Sequence, residues 1–169
     1  MILLFEFIAV LILFVCLLYG IKYILLLLAK YKADKAFDDV FAFLPKLYDS
    51  VNDLFSTLYA LSAENVILVE NTRKLISQAK NFSIKKDGNE RIIAYANSIA
   101  ENVQTITDSV SQDNVANINI QKYGKTLEEF NKVKKYYNGS AQKLRHYVDV
   151  FPTSFFARLK KIKTMDYLY

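Results

Sequence analysis

The side chains in this chain that could do chemistry are few, and their spacing does not bring them together. His146 is the only histidine, so neither a histidine metal cluster nor a two-histidine acid-base pair can be assembled within one chain. It lies two residues from Leu144 of an apolar stripe, the place of a surface helix residue. The only cysteine, Cys16, sits inside a long apolar run without the cationic neighbours that make a reactive thiolate. Acylation or pairing across two anchors are the reactions left to it. No disulfide framework exists. Glu64, Glu70, Glu90, Glu101, Asp108, Glu128 and Glu129 are scattered, not set as the paired Glu-x-x-His motifs of a di-metal bundle, and read as solvated faces. Gly88, Gly124 and Gly139 are isolated, so no glycine-rich phosphate loop is present. Tyr137 and Asn138 read as a packing pair, with the Asn capping or bridging polar atoms, ahead of a ligand site. The pattern assigns no catalytic, cofactor-binding or metal residue and predicts a non-enzymatic protein.

The elements that carry these residues begin with an anchor. Residues 1–29 form an apolar run broken only by Glu6 and Lys22. About 20 residues of helix cross a hydrocarbon core of about 30 Å, so the run is long enough to span. A cleaved signal peptide would carry a positive start, a shorter apolar stretch and a small-residue cleavage site. Here the cations follow the span, at Lys22, Lys30, Lys32 and Lys35, which predicts an external N-terminus and a cytoplasmic remainder. In the cytoplasm, Asn-Phe-Ser at Asn81 and Asn-Gly-Ser at Asn138 are chance matches to glycosylation sites. Two registers are open: Ile2 to Ile21 with Lys22 at the inner edge, or Phe7 to Leu28 with Lys22 snorkelling. Tyr19 and Tyr23, as interfacial aromatics, favour the first. A charge inside the bilayer can also mark a transport path or a partner helix, although one span cannot form a pore.

Residues 30–169 suffice for one domain with a real core. Four glycines, two prolines and no tryptophan are poor material for the turns of a many-stranded sheet, which favours helices. The net charge of +5 gathers beside the anchor and near the C-terminus, a placement that suits anionic lipid and not nucleic acid.

After the anchor, Phe37, Val40, Phe41, Leu44, Leu47, Tyr48, Val51, Leu54, Phe55, Leu58 and Leu61 fall on one stripe, opposite Asp38, Lys46, Asp49, Asn52 and Asp53. Pro45 inside this stripe predicts a kink or a helix start, of which the kink is expected. The stripe continues through Leu68, Val69, Leu75, Ile76, Ala79 and Phe82 after a polar patch at Ser62 to Asn65. Its phase is nearly kept, so one helix from about Lys30 to Phe82 competes with two that turn near Ser62. Asp87-Gly88 within residues 83–89 signals a turn. A third stripe runs from Ile92 through Ile93, Tyr95, Ala96, Ile99, Val103 and Ile106 to Val110. Beyond a polar connection at residues 111–117, Ile120, Tyr123, Leu127, Phe130, Tyr137, Ala141, Leu144, Val148 and Phe151 keep a seven-residue repeat, with Lys134 out of character. Pro152 ends it. The expected organisation is an anchor at 1–29, a helical bundle at 30–152 and a basic-aromatic tail at 153–169.

The stretch from Tyr137 to Ala157 resembles the C-terminal signature of the LemA family, a Tyr-Asn pair followed fourteen residues after the Tyr by Phe-Pro and then a small residue. Tyr137, Asn138, Phe151, Pro152 and Ala157 stand at matching positions. Leu44, Pro45, Lys46 and Leu47 are similar to that family's Leu-Ile-Pro-Asn-Leu element, and the anchor matches too. Leu127, Glu128, Lys134, Leu144 and Arg145 depart from the usual pattern. The resemblance implies a diverged bacterial inner-membrane protein with a short external N-terminus and a cytoplasmic four-helix bundle, and it implies no activity or active site.

The expected fold is therefore all-α, a single N-terminal transmembrane helix followed by an antiparallel up-and-down four-helix bundle with helices near 34–61, 64–82, 89–110 and 117–150. Four such helices return the C-terminus to the membrane side, where the basic tail could meet anionic lipid, whereas three leave it far away. The function expected is a non-enzymatic scaffold that uses the bilayer and copies of itself as partners, since the anchor offers packing surface and the last helix a long repeat. The alternative is a regulatory or adaptor subunit holding a membrane protease or kinase.

Overall fold

The computed structural model describes residues 2–58, 63–109 and 118–169. Among them the chain is all-helical, 88% helix with no strand. The helices are α1 (Ile2–Thr57), α2 (Ala63–Ala79), α3 (Ile84–Ser109), α4 (Ile118–Asp149) and α5 (Thr153–Leu159). Leu61, Val110, Ser62 of the polar patch and the polar connection at 111–117 lie outside the described residues, as do the side chains of Ala63 and Glu64.

One boundary differs from the sequence reading and a second was left open by it. The apolar run and the first amphipathic stripe are one continuous helix, α1, not an anchor and a separate helix from residue 34. Nothing between Ala29 and Phe37 breaks a helix: Ala33 and Ala36 are strong helix formers, and Lys30 pairs with Asp34 one turn on. The change at residue 29 is one of composition alone. The second boundary resolves an open choice, because α1 ends at Thr57 and α2 starts at Ala63, so the stripe belongs to two helices. Pro45 lies inside α1, and no helix starts there.

The described chain divides into two compact units, Met1–Lys35 with Gly139–Met165, and Ala36–Asn138 with Asp166–Tyr169. In the second unit, the three-and-four spacing puts Phe37, Val40, Leu44, Tyr48, Val51 and Leu54 of α1 in the core. Val69 and Ile76 of α2, Ile92, Ile99 and Ile106 of α3, and Phe130 and Tyr137 of α4 are buried with them. α2 packs on α3. Ring contacts join α1 to α4, Phe37 to Tyr137 at 5.8 Å and Phe43 to Phe130 at 5.8 Å. Exposed ion pairs run from Lys46 and Asp53 of α1 to Glu129 and Lys122 of α4, and from Asp49 to Lys80. Each of these contributes little to stability in water.

The turn signal at Asp87-Gly88 is a sharp corner within α3. Gly88 has φ 73° and ψ 159°, a region open essentially to glycine alone. Asp87 anchors the corner. Its carboxylate accepts the Ser83 amide at 2.9 Å and pairs with Arg91 at 3.0 Å, while its own amide donates to the Ser83 carbonyl.

In the first unit every residue from Phe5 to Leu18 is exposed. Coverage begins at Tyr19 and Tyr23, and Leu26, Ala29 and Ala33 are buried. Within residues 153–169, read from sequence as a tail, α5 buries Thr153 and Ala157. It ends in a motif in which the Ile162 amide donates to the Ala157 carbonyl and the Lys161 amide to that of Arg158, with Lys161 at φ 53°. This is a Schellman closure, with buried Ile162 and Ala157 as its apolar contact. Phe151 departs from expectation. It is 71% exposed, since α4 ends at Asp149 and the turn at 150–152 carries it off the buried stripe.

Candidate functional site

Among the described residues of the second unit, polar side chains from two helices converge on the backbone of residues 166–169. Residues 166–169 carry no helix, so their backbone groups need partners from elsewhere. α4 supplies Tyr137 and Asn138, and α3 supplies Asn97. The Tyr137 hydroxyl donates to the Asp166 carbonyl at 2.6 Å. The Asn138 amide donates to the Leu168 carbonyl at 2.8 Å and its oxygen accepts the Leu168 N–H at 3.0 Å. Asn97 repeats the pattern, donating to the Tyr167 carbonyl at 3.2 Å and accepting the Tyr169 N–H at 2.9 Å. A carboxamide has a donor and an acceptor side by side, so each Asn reads an extended backbone as a neighbouring strand would.

Leu168 is buried, whereas Tyr169 is 82% exposed. Leu168 closes a cavity of about 40 Å³ with Leu44, Tyr48, Val51, Ile99 and Phe130 among its walls, room for about one water molecule. Tyr137 itself is fully buried. Burial, followed by the nearby charge of Asp166, pushes its phenol well above the ordinary range.

Beside this clamp lies an open groove of about 540 Å³ lined by Asn97, Ala100, Gln104, Tyr123, Lys134 and Tyr169. Tyr123 is pushed up to about 12 by burial. Lys134, the residue out of character in the seven-residue repeat, lines this groove, so its charge faces an opening and not a sealed core. On the outer surface the Lys46 ammonium, through its hydrogen bond and its charge, holds the Glu129 carboxyl below the usual range, with Lys132 adding to the effect.

No family model, curated protein or solved structure matches this chain.

The remaining chemistry-bearing residues lie apart from the clamp. His146 is exposed on α4, with its ring 5.9 Å from that of Tyr147. Cys16 is exposed on α1. Glu70, Glu90, Glu101, Asp108 and Glu128 are exposed and Glu129 pairs with Lys46. Among the described residues no three His, Cys, Asp or Glu side chains are grouped to hold a metal ion. The structure brings together Tyr137 and Asn138, as the sequence paired them, and adds a partner that periodicity did not supply, the C-terminal backbone. Asn97 was missed altogether. Its signal was present, since an Asn next to buried Ala96 and two residues from buried Ile99 needs a partner for its amide.

Proposed function

We propose that this chain is a single-pass, membrane-anchored, non-enzymatic scaffold. The observation that carries the reading is the unbroken exposure of Phe5 to Leu18, an apolar surface that only lipid or another apolar helix would cover without cost. α1 is long and apolar enough to cross a membrane. The cations at Lys22, Lys30, Lys32 and Lys35 favour a cytoplasmic location for the rest of the chain. α1 from Ala36 onward, α2, α3 and the first part of α4 then form an antiparallel up-and-down four-helix bundle, consistent with the buried stripe on each helix. On this reading the chain is a diverged LemA-like protein of a bacterial inner membrane.

Scaffolding, not catalysis, suits a site whose polar groups are occupied by the chain's own backbone. A second reading, an adaptor subunit for a membrane protease or kinase, is favoured by the open groove beside Tyr123 and Lys134. The mass of the full-length protein in mild detergent, from light scattering with the detergent subtracted, tests the first. A discrete multiple of 19.5 kDa supports self-assembly, and a monomer refutes it. Co-extraction with a stoichiometric membrane enzyme would support the second.

A further inference from the structure

We propose that α5 and the turn before it form a second membrane contact, an amphipathic foot lying at the boundary of hydrocarbon and headgroups, with anionic phospholipid as its ligand. The proposal rests on the anchored reading of α1 and concerns the first unit alone.

Position along α1 carries the argument. On the register from Ile2 to Ile21, which Tyr19 and Tyr23 favour as interfacial aromatics, about 30 Å of hydrocarbon at about 1.5 Å per residue is crossed near Ile21. Tyr19 and Tyr23 flank that level, and α5 packs there. The Phe156 ring lies 6.2 Å from that of Tyr19 and 5.3 Å from that of Tyr23. The Phe151 ring lies 6.3 Å from that of Tyr19. These contacts fix α5 beside the anchor at the height of the interface.

The faces of α5 suit that height. Thr153 and Ala157 point into the protein and Phe156 meets the anchor, while Phe155 and Leu159, one turn apart, are 59% and 67% exposed. Arg158, Lys160, Lys161 and Lys163 surround this apolar edge. All four are exposed, and none pairs with a carboxylate among the described residues. Apolar side chains rimmed by unpaired cations are the composition of an interfacial helix on anionic lipid. A second copy of this chain is a poorer occupant, because it would set the same four cations against one another.

The chain has no tryptophan, so one introduced indole reports its own depth. The full-length Phe155→Trp variant is reconstituted in vesicles of phosphatidylcholine and phosphatidylglycerol, with bromine on the phosphatidylcholine chains either near the headgroup or near the chain ends. Its indole should lose emission more to shallow than to deep bromines and be shielded from aqueous iodide. Replacing Arg158, Lys160, Lys161 and Lys163 with Gln in the same variant should reduce the shallow quenching. A Leu159→Trp variant gives the same reading from the neighbouring turn, and a Phe14→Trp variant reports the anchor. If the indoles of the Phe155→Trp and Leu159→Trp variants are quenched by iodide and by neither bromine, while that of the Phe14→Trp variant is quenched by the deep bromines, the foot is refuted and the anchor stands. If the indole of the Phe14→Trp variant is untouched by bromine, the anchored reading fails and the foot fails with it.

Discussion

Removing the hold on the C-terminus should cost a large share of the stability of the second unit, although only the last few residues are touched. Leu168 is 4% exposed against a cavity of about 40 Å³. Leu168→Ala should therefore cost about 2–5 kcal/mol, from lost transfer energy and from the space left behind. Asn138→Ala removes two hydrogen bonds to the Leu168 backbone, each contributing about 1 kcal/mol net, so about 2 kcal/mol is expected. Because both changes act on the same residue, the double variant should lose less than the sum of the two. At about 2–4 °C per kcal/mol for a chain of this size, Leu168→Ala alone should lower the melting temperature by roughly 4–20 °C. Tyr169→Ala is the control, since its ring is exposed and only its backbone is held. Thermal unfolding of the full-length protein in mild detergent, followed by helical circular dichroism, measures all four variants. Hydrogen exchange at the Leu168 and Tyr169 amides measures the hold directly. If Leu168→Ala and Asn138→Ala melt with the parent, or if those two amides exchange as fast as in an unstructured peptide, the clamp does not contribute stability.

Four further outcomes follow from backbone geometry and burial. Gly88→Ala should destabilise by roughly 1–3 kcal/mol, because φ 73° and ψ 159° suit glycine alone while no atom obstructs a new Cβ. The same change at helical Gly124, equally unobstructed, should stabilise by about 0.5–1 kcal/mol, and urea unfolding of the two variants checks the opposite signs. Lys161→Gly should stabilise by up to about 1–2 kcal/mol, by relieving a left-handed residue at the end of α5, readable as slower exchange of the Ile162 amide. Tyr123 is raised from 10.0 to about 12. Below pH 10 its phenol is protonated in both states and its contribution is complete. Between pH 10 and 12 the unfolded chain releases a proton that the folded one keeps, so stability falls across that window. Tyr123→Phe should flatten the fall, measured as urea midpoints at successive pH values.

The sequence made some of this visible and hid the rest for physical reasons. Apolar spacing marked Phe37 to Leu54 and Ile92 to Ile106 as buried stripes, because burial of one helix face is written in a period of 3.6 residues. Asp87-Gly88 marked the corner, because a positive φ calls for glycine. The join of anchor and first amphipathic stripe was misplaced because a change in composition leaves the backbone free to continue as helix through Lys30 to Lys35. The clamp was half visible. Tyr137 and Asn138 stood out on α4, but their partners lie about 30 residues on, and Asn97 meets the same segment from another helix. Such contacts are set by tertiary packing, which leaves no periodic trace in a segment of four residues.

What lies beside α1 favours one of the two registers of the proposed span. On the anchored reading, a span from Phe7 to Leu28 would put Tyr19, Tyr23 and Leu26 within the hydrocarbon. Phe156 touches both tyrosines, so α5 would enter with them, and Arg158 and Lys160 would follow at a cost of about 2.5–3.5 kcal/mol for each charge placed near the centre. A span from Ile2 to Ile21 avoids this. It leaves Lys22, which is exposed, at the edge, where its ammonium reaches headgroups without crossing lipid. It also puts the aromatic rings of Tyr19, Tyr23, Phe151 and Phe156 at the level where such rings gather. On that register Lys22 stands at the end of the proposed span and not inside it.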